Sequence, residues 1–187
     1  MGLAYVAAVL LQQGHDVRLL DANALQLSFS EIADEMKGFS PHMVGTTAAT
    51  PSIGLAARLG EVVKATLPGD VPLVVGGAHG SALPAATLQE FPSIDVVVTG
   101  EAEAFAGDLL NALAGGDDLS SIPSLAFRRG EEVEITDRAL PVHDLDSLPF
   151  PARELLPNHL YRTIDCWPMT CIIAMRGCPA KCIYCNV

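Results

Sequence analysis

Three short apolar runs constrain the fold most: Met43 to Thr47, Leu73 to Val75 and Asp95 to Thr99. The second stops at Gly76 and Gly77 and the third at Gly100. Helical periods separate them: after Pro51 the positions Ile53, Leu55, Ala56, Leu59, Val62 and Val63 recur to about Leu67, where Pro68 and Gly69 end the pattern. A second helix is expected from Pro84 to Phe91 and a third from Glu101 to Leu113. Strands that are apolar on both sides and alternate with helices form a parallel sheet covered on both faces. The expectation is an open, mostly parallel, doubly wound α/β sheet.

Upstream, Leu3 to Gln13 has the spacing of a buried helix closed by Gly14, and Val17 to Leu20 reads as a strand. Ser28 or Ser30 caps a helix to about Lys37, with Glu31 in its first turn. Downstream the texture changes. Ser124 to Arg128 and Glu132 to Thr136 pair as a hairpin around Arg129 and Gly130. Pro141 to Pro157 is a proline-punctuated linker, and Cys171 to Met175 begins a new strand. These boundaries give an α/β domain over 1–116, a hairpin and linker over 117–165, and the start of another domain over 166–187.

Composition excludes several classes. Half of the 187 residues are hydrophobic and 18% are charged, so the chain is globular rather than disordered. Eleven Lys and Arg against 22 Asp and Glu leave a net charge of −11 with no basic cluster, which argues against nucleic acid as a partner. No apolar run reaches the roughly 18 to 20 residues needed to cross a bilayer, so no membrane partner is expected. Gly2 to Leu11, with Ala22 and Ala24, lacks the positive flank of a signal peptide. The five cysteines fall between Cys166 and Cys185, an odd count in one short segment rather than a disulfide framework, and a reducing cytoplasmic setting follows.

Ligands of open α/β sheets bind beyond the carboxyl ends of the strands. The loops Thr46 to Pro51, Gly76 to His79 and Gly100 to Glu103 are therefore expected on one rim. Gly76 and Gly77 allow close approach of backbone to a ligand, and Thr46, Thr47 and Thr50 carry donors. Glu101 and Glu103 stand where they complement a helix dipole.

Cys178, Cys182 and Cys185 form the spacing C-x3-C-x2-C after Arg176 and Gly177. Thiolates select zinc, copper(I) or an iron–sulfur cluster. A structural zinc site wants four ligands, and no second C-x2-C or H-x3-H is present, whereas three cysteines suit a cubane with one iron left open. Cys166 and Cys171 read as ordinary thiols.

The run from Arg176 to Cys185, with Tyr184 before the last cysteine, resembles the cluster loop of radical S-adenosylmethionine (SAM) enzymes. The resemblance implies a [4Fe–4S] cluster on Cys178, Cys182 and Cys185, whose fourth iron chelates SAM, with Tyr184 packing beside the cofactor. Electron transfer from a flavodoxin or ferredoxin then cleaves SAM to a 5′-deoxyadenosyl radical that acts on a small-molecule substrate. The motifs Gly2-Leu3-Ala4-Tyr5, Thr46 to Ser52, Gly76-Gly77-Ala78-His79, Ala82-Leu83-Pro84, Gly100 to Glu103 and Leu148 to Pro151 resemble the cobalamin-binding members of that family. This implies a Rossmann/flavodoxin-like domain of the cobalamin-binding type, with a corrinoid held by Thr46, Thr47, Ala48, Thr50, Gly76, Gly77, His79, Gly100, Glu101 and Glu103. Many members transfer a methyl group, and others cyclise or contract rings. The signature D-x-H-x-x-G is absent, so His79 is expected to line the rim rather than to ligate cobalt. Ala78 and Ala102 stand where the family commonly has Pro and Gly. Members also open with a strand before the helix at Leu3, and a radical SAM barrel needs on the order of 200 residues. The chain is therefore expected to be a fragment, inactive alone, truncated at both ends. A corrinoid or other small-ligand module with a zinc loop is the alternative.

Overall fold

Residues 1–178, 180, 182 and 183 are described in a computed structural model. Strands β1 (Val44–Thr47), β2 (Leu73–Gly76) and β3 (Val96–Val98) run parallel in register, Val44 beside Leu73 and Val74 beside Val96. β4 (Leu125–Arg129) and β5 (Glu132–Ile135) form the expected hairpin, which joins the same sheet antiparallel to β3. The order is β1-β2-β3-β4-β5, and the hairpin supplies β3 with hydrogen bonds that it would otherwise leave open.

Helix α1 spans Gly2–Gln12, α2 Phe29–Phe39, α3 Ile53–Thr66, α4 Ala78–Ala82, α5 Pro84–Glu90 and α6 Ala106–Gly115. Alternation along each strand divides the core. Leu73, Val75, Val97 and Ala126 point to one face, against Ile53, Ala56 and Ala57 of α3 and Leu88 of α5. Val74, Val96, Val98, Leu125 and Phe127 point to the other, against Leu109 and Ala112 of α6 and the preceding Phe105. On the outside Met36 of α2 packs on Val63 of α3. Ser28 caps α2 in a capping box: its hydroxyl accepts from the Glu31 N–H at 3.3 Å and its own N–H donates to the Glu31 carboxylate at 2.8 Å. The Arg128 guanidinium reaches back from β4 to the carbonyls at the end of α5, donating to Ile94 at 2.6 Å, to Phe91 at 3.0 Å and to Leu88. The Leu88 carbonyl has no i+4 donor because residue 92 is proline, and the Phe91 carbonyl also accepts from the Ile94 N–H at 3.1 Å, so the guanidinium is a supplementary donor there.

Three expectations are corrected. Val17 to Leu20 carries no ladder among the described residues: Val17 and Leu19 pack on Ala7, Ala8 and Ala152, and no strand lies beside them to complete the hydrogen bonds. Cys171 to Met175 likewise has no strand partner, and Ile172 is 80% exposed. The third expected helix starts at Ala106, not at Glu101, because Ala102 to Phe105 form a turn in which the Phe105 N–H donates to the Ala102 carbonyl at 3.1 Å. Helix α4 and a 3-10 turn over Thr50–Ser52 were not anticipated; both stand in the loops of the rim.

Candidate functional site

The three loops at the carboxyl ends of β1, β2 and β3 meet through hydrogen bonds. The Ala48 N–H donates to the Gly76 carbonyl at 3.0 Å, and the His79 N–H donates to the Ala48 carbonyl at 3.1 Å. The His79 side chain is buried, and its Nδ1 lies 3.1 Å from Thr50 Oγ1. The third loop is tied to α4, where the Gly100 N–H donates to Ser81 Oγ at 2.9 Å. Thr46, Thr47, Ala48, Thr50, Gly76, Gly77, His79 and Gly100 thus share one end of the sheet.

The two adjoining glycines differ in kind. Gly77 has φ +97° and ψ −173°, and a Cβ there would stand 2.5 Å from Thr47 Oγ1 and 2.8 Å from the Ala48 carbonyl, so the fold itself demands glycine. Gly76 has ordinary backbone, and a Cβ would meet nothing within 4 Å. It pairs with Thr47, while Gly45 pairs with Val74, so Gly45, Thr47 and Gly76 share one face of the sheet. A Cβ on Gly45 would also meet open space. At Gly45 and Gly76 this face carries no side chain, so beside Thr47 the approach of a flat ligand to the ends of β1 and β2 is open.

Glu101 and Glu103 are corrected from helix-start acids to ion-pair partners. Glu103 is buried, and its Oε1 accepts from the Arg176 guanidinium at 2.7 Å. Glu101 Oε1 lies 3.4 Å from the same guanidinium, and its Oε2 accepts from the Val142 N–H at 3.2 Å. Arg176 also lies over the Tyr5 ring, 4.9 Å from the centroid. Burial opposes charge on Arg176, but hydrogen bonding and charge from Glu103 and then Glu101 prevail and raise its pKa above the ordinary arginine value. The sequence motifs contain both Arg176 and Tyr5 without pairing them, and Ser81 lies outside every motif. The signal available for Arg176 was its being the one basic residue between Arg162 and Cys178.

Cys178 follows Arg176 by two residues; Cys178 and Cys182 are exposed free thiols. Cys185 and Tyr184 lie outside the described residues. Among the described residues no three His, Cys, Asp or Glu side chains converge on a metal position. A concavity of about 310 Å³ between Ser40, Leu67, Val71 and Leu113 sits at the opposite, amino-terminal end of β1 and β2. Ligands of open α/β sheets do not bind there, and the rim remains the candidate.

Residues 1–110 match the B12 binding domain family. Over its whole length the chain is 34% identical to an uncharacterized methyltransferase of Pyrococcus horikoshii, spanning 40% of that protein. It is also 33% identical to the anaerobic magnesium-protoporphyrin IX monomethyl ester cyclase of Synechocystis, spanning 37% of it. The chain thus covers about two fifths of the length of these relatives. The cobalamin-dependent S-adenosylmethionine radical enzyme OxsB, solved with aqua-cobalamin and S-adenosylmethionine bound, shares the fold with a TM-score of 0.70 at 18% identity, over 83% of this chain and 22% of that one. On the match that spans the three parallel strands and all three rim loops, the chain belongs to the B12-binding domain family.

Proposed function

We propose that this chain is the cobalamin-binding part and cluster loop of a cobalamin-dependent radical SAM enzyme that transfers a methyl group or performs a related radical reaction. The carrying observation is the convergence of three tied loops around Gly76, whose open face no fold contact explains. Thr46, Thr47, Ala48, Thr50, Gly76, Gly77, His79 and Gly100 border the corrinoid site. Glu101 and Glu103 close one side of it with carboxylates turned to Arg176. His79 fixes Thr50 through their 3.1 Å contact, a rim role consistent with the missing cobalt-ligand signature.

Cys178, Cys182 and Cys185 hold a [4Fe–4S] cluster, with Tyr184 beside SAM. The donor chemistry fits: the two described thiols are free and exposed, and soft thiolates suit an iron–sulfur centre. When bound, the corrinoid supplies a methyl-carrying cobalt and the cluster an electron for cleaving SAM. The chain's own residues shape the rim and keep the thiols accessible. In this reading 1–116 is the ligand domain, 117–165 bridges and 166–187 begins the radical SAM domain. A flavodoxin or ferredoxin in a reducing cytoplasm delivers the electron, and the substrate is a small molecule. Among the described residues no helix is long and apolar enough to cross a membrane.

Anaerobic reconstitution with iron, sulfide and hydroxocobalamin tests the proposal. About four irons and a corrinoid absorption band are expected. Cys182→Ala is expected to abolish the iron and leave the corrinoid. Zinc without corrinoid overturns the proposal in favour of a small-ligand module with a zinc loop.

A further inference from the structure

Beyond Tyr161, only Met169 and Arg176 among the described residues are not exposed. The segment therefore has almost no apolar burial to hold it against the sheet, and Met175, next to Arg176, is 75% exposed. Its ties are polar. Tyr161 Oη donates to Asp21 Oδ2 at 2.8 Å, and Arg153 donates to the Cys171 carbonyl at 2.9 Å. Arg176 makes the most enclosed of them. Its side chain is 18% exposed, between Glu103 at 6%, Glu101 at 31% and the Tyr5 ring. Glu101 is held in turn by the Val142 N–H, so its carboxylate stands in place for the guanidinium. A planar fork with five donors suits two carboxylates and an aromatic face in a way that a lysine ammonium does not.

We infer that Glu101 and Glu103 form a socket for Arg176, and that this socket sets where the cysteine loop stands relative to the rim. The inference rests on the proposed cobalamin and cluster sites for its purpose, but not for its geometry. Arg176 is thus a positioning residue, acting on Cys178 two residues further on. Glu101 and Glu103 act on the cysteine loop through it. The chain just before Cys178, the first cysteine of the motif, is joined through Arg176 to the loop after β3, which also carries Gly100 of the rim. A displacement of that loop moves both.

The test is a nitroxide on Cys178 of the full chain, with Cys166, Cys171, Cys182 and Cys185 changed to serine, read by electron paramagnetic resonance without cobalamin. Arg176→Gln and Glu103→Gln are each expected to shorten the label's correlation time severalfold. The double variant is expected to show no change beyond that of Arg176→Gln, because Glu103 acts on the loop only through Arg176. Arg176→Gln sits in an exposed segment, so its effect does not depend on whether Glu103→Gln folds. An unchanged spectrum in Arg176→Gln, or additive effects in the double variant, overturns the socket. Hydroxocobalamin titration of the same samples separates the two ideas. A mobile label with no corrinoid binding in any sample leaves the socket standing and sinks the proposed function. Corrinoid binding with an unchanged label does the reverse.

Discussion

Gly76 and Gly77 are adjacent, yet alanine at the two positions is expected to do opposite things. Gly77 holds φ +97° and ψ −173°, a region open in practice only to glycine, and forcing a side chain there costs about 1–3 kcal/mol. The new methyl also stands 2.5 Å from Thr47 Oγ1, 2.8 Å from the Ala48 carbonyl and 3.0 Å from the Ala48 nitrogen. Two of those atoms are backbone and already hydrogen-bonded, to His79 and Gly76, so the crowding adds another ~1–3 kcal/mol. Gly77→Ala is therefore expected to lose about 2–6 kcal/mol, a large part of a typical stability of roughly 5–15 kcal/mol. Gly76→Ala meets nothing within 4 Å and should unfold within about 1 kcal/mol of the parent, gaining from a stiffer unfolded chain. Urea titration followed by far-ultraviolet circular dichroism measures both. If the methyl at Gly76 projects where the corrinoid approaches, that variant keeps its stability and binds hydroxocobalamin at least about tenfold more weakly, a loss of ~1.4 kcal/mol. A Gly77→Ala midpoint equal to the parent's would refute the steric reasoning. A Gly76→Ala loss as large as that of Gly77→Ala would show that the fold requires both glycines and remove Gly76 as a ligand indicator.

Three further outcomes follow from local geometry. Arg128→Met leaves the carbonyls of Leu88 and Ile94 without their side-chain donor, while Phe91 keeps the Ile94 N–H, and is expected to cost about 2–4 kcal/mol in urea unfolding, since each part-buried unpaired group costs ~1–3 kcal/mol. Burial first, then the hydrogen bond to Asp21 and its charge, raise the Tyr161 phenol to about 12, so its contribution to stability is complete below the unfolded value of 10.0 and disappears as pH rises through about 12. Asp21→Asn should bring that titration part of the way back toward 10.0, read by ultraviolet phenolate absorbance. The Ser28 hydroxyl, then its N–H, hold Glu31 below the ordinary 4.5, so the cap stabilises above that pH and its contribution disappears as pH falls through the lowered value. Ser28→Ala should flatten this acid limb of the melting temperature against pH.

Elements whose cause lies within a few residues were legible in the sequence. The capping box at Ser28 and Glu31, the strand at Leu73 with its glycine stop, and the hairpin around Gly130 each depend on neighbours in the chain. The segment at Val17 failed for the complementary reason. Its apolar spacing is that of a strand, but a strand exists only beside a hydrogen-bonding partner, and none of the described residues supplies one. Apolar pattern predicts which face is buried, and Val17 and Leu19 are indeed half-buried against Ala7 and Ala8; it does not predict the ladder.

The same distinction runs through the candidate site. That the loops after β1, β2 and β3 share a rim follows from parallel topology alone, and the sequence carried it. The role of Glu101 and Glu103 did not follow, because acids ahead of an apolar helical pattern match the rule for helix dipoles, and that rule sees only the first turn. The carboxylates instead meet a guanidinium far along the chain, 73 residues from Glu103. Desolvation decides between the two roles: an acid that serves a helix dipole stays hydrated, whereas Glu103 is buried and requires a partner of opposite charge. Composition gives a weak pointer to that partner, since Arg176 is isolated among uncharged residues from Cys166 to Cys178 apart from itself. A buried acid in the loop after a strand and a lone arginine just before a cysteine motif are separately unremarkable. Each becomes informative only when the fold shows that burial of one is physically tolerable because of the other.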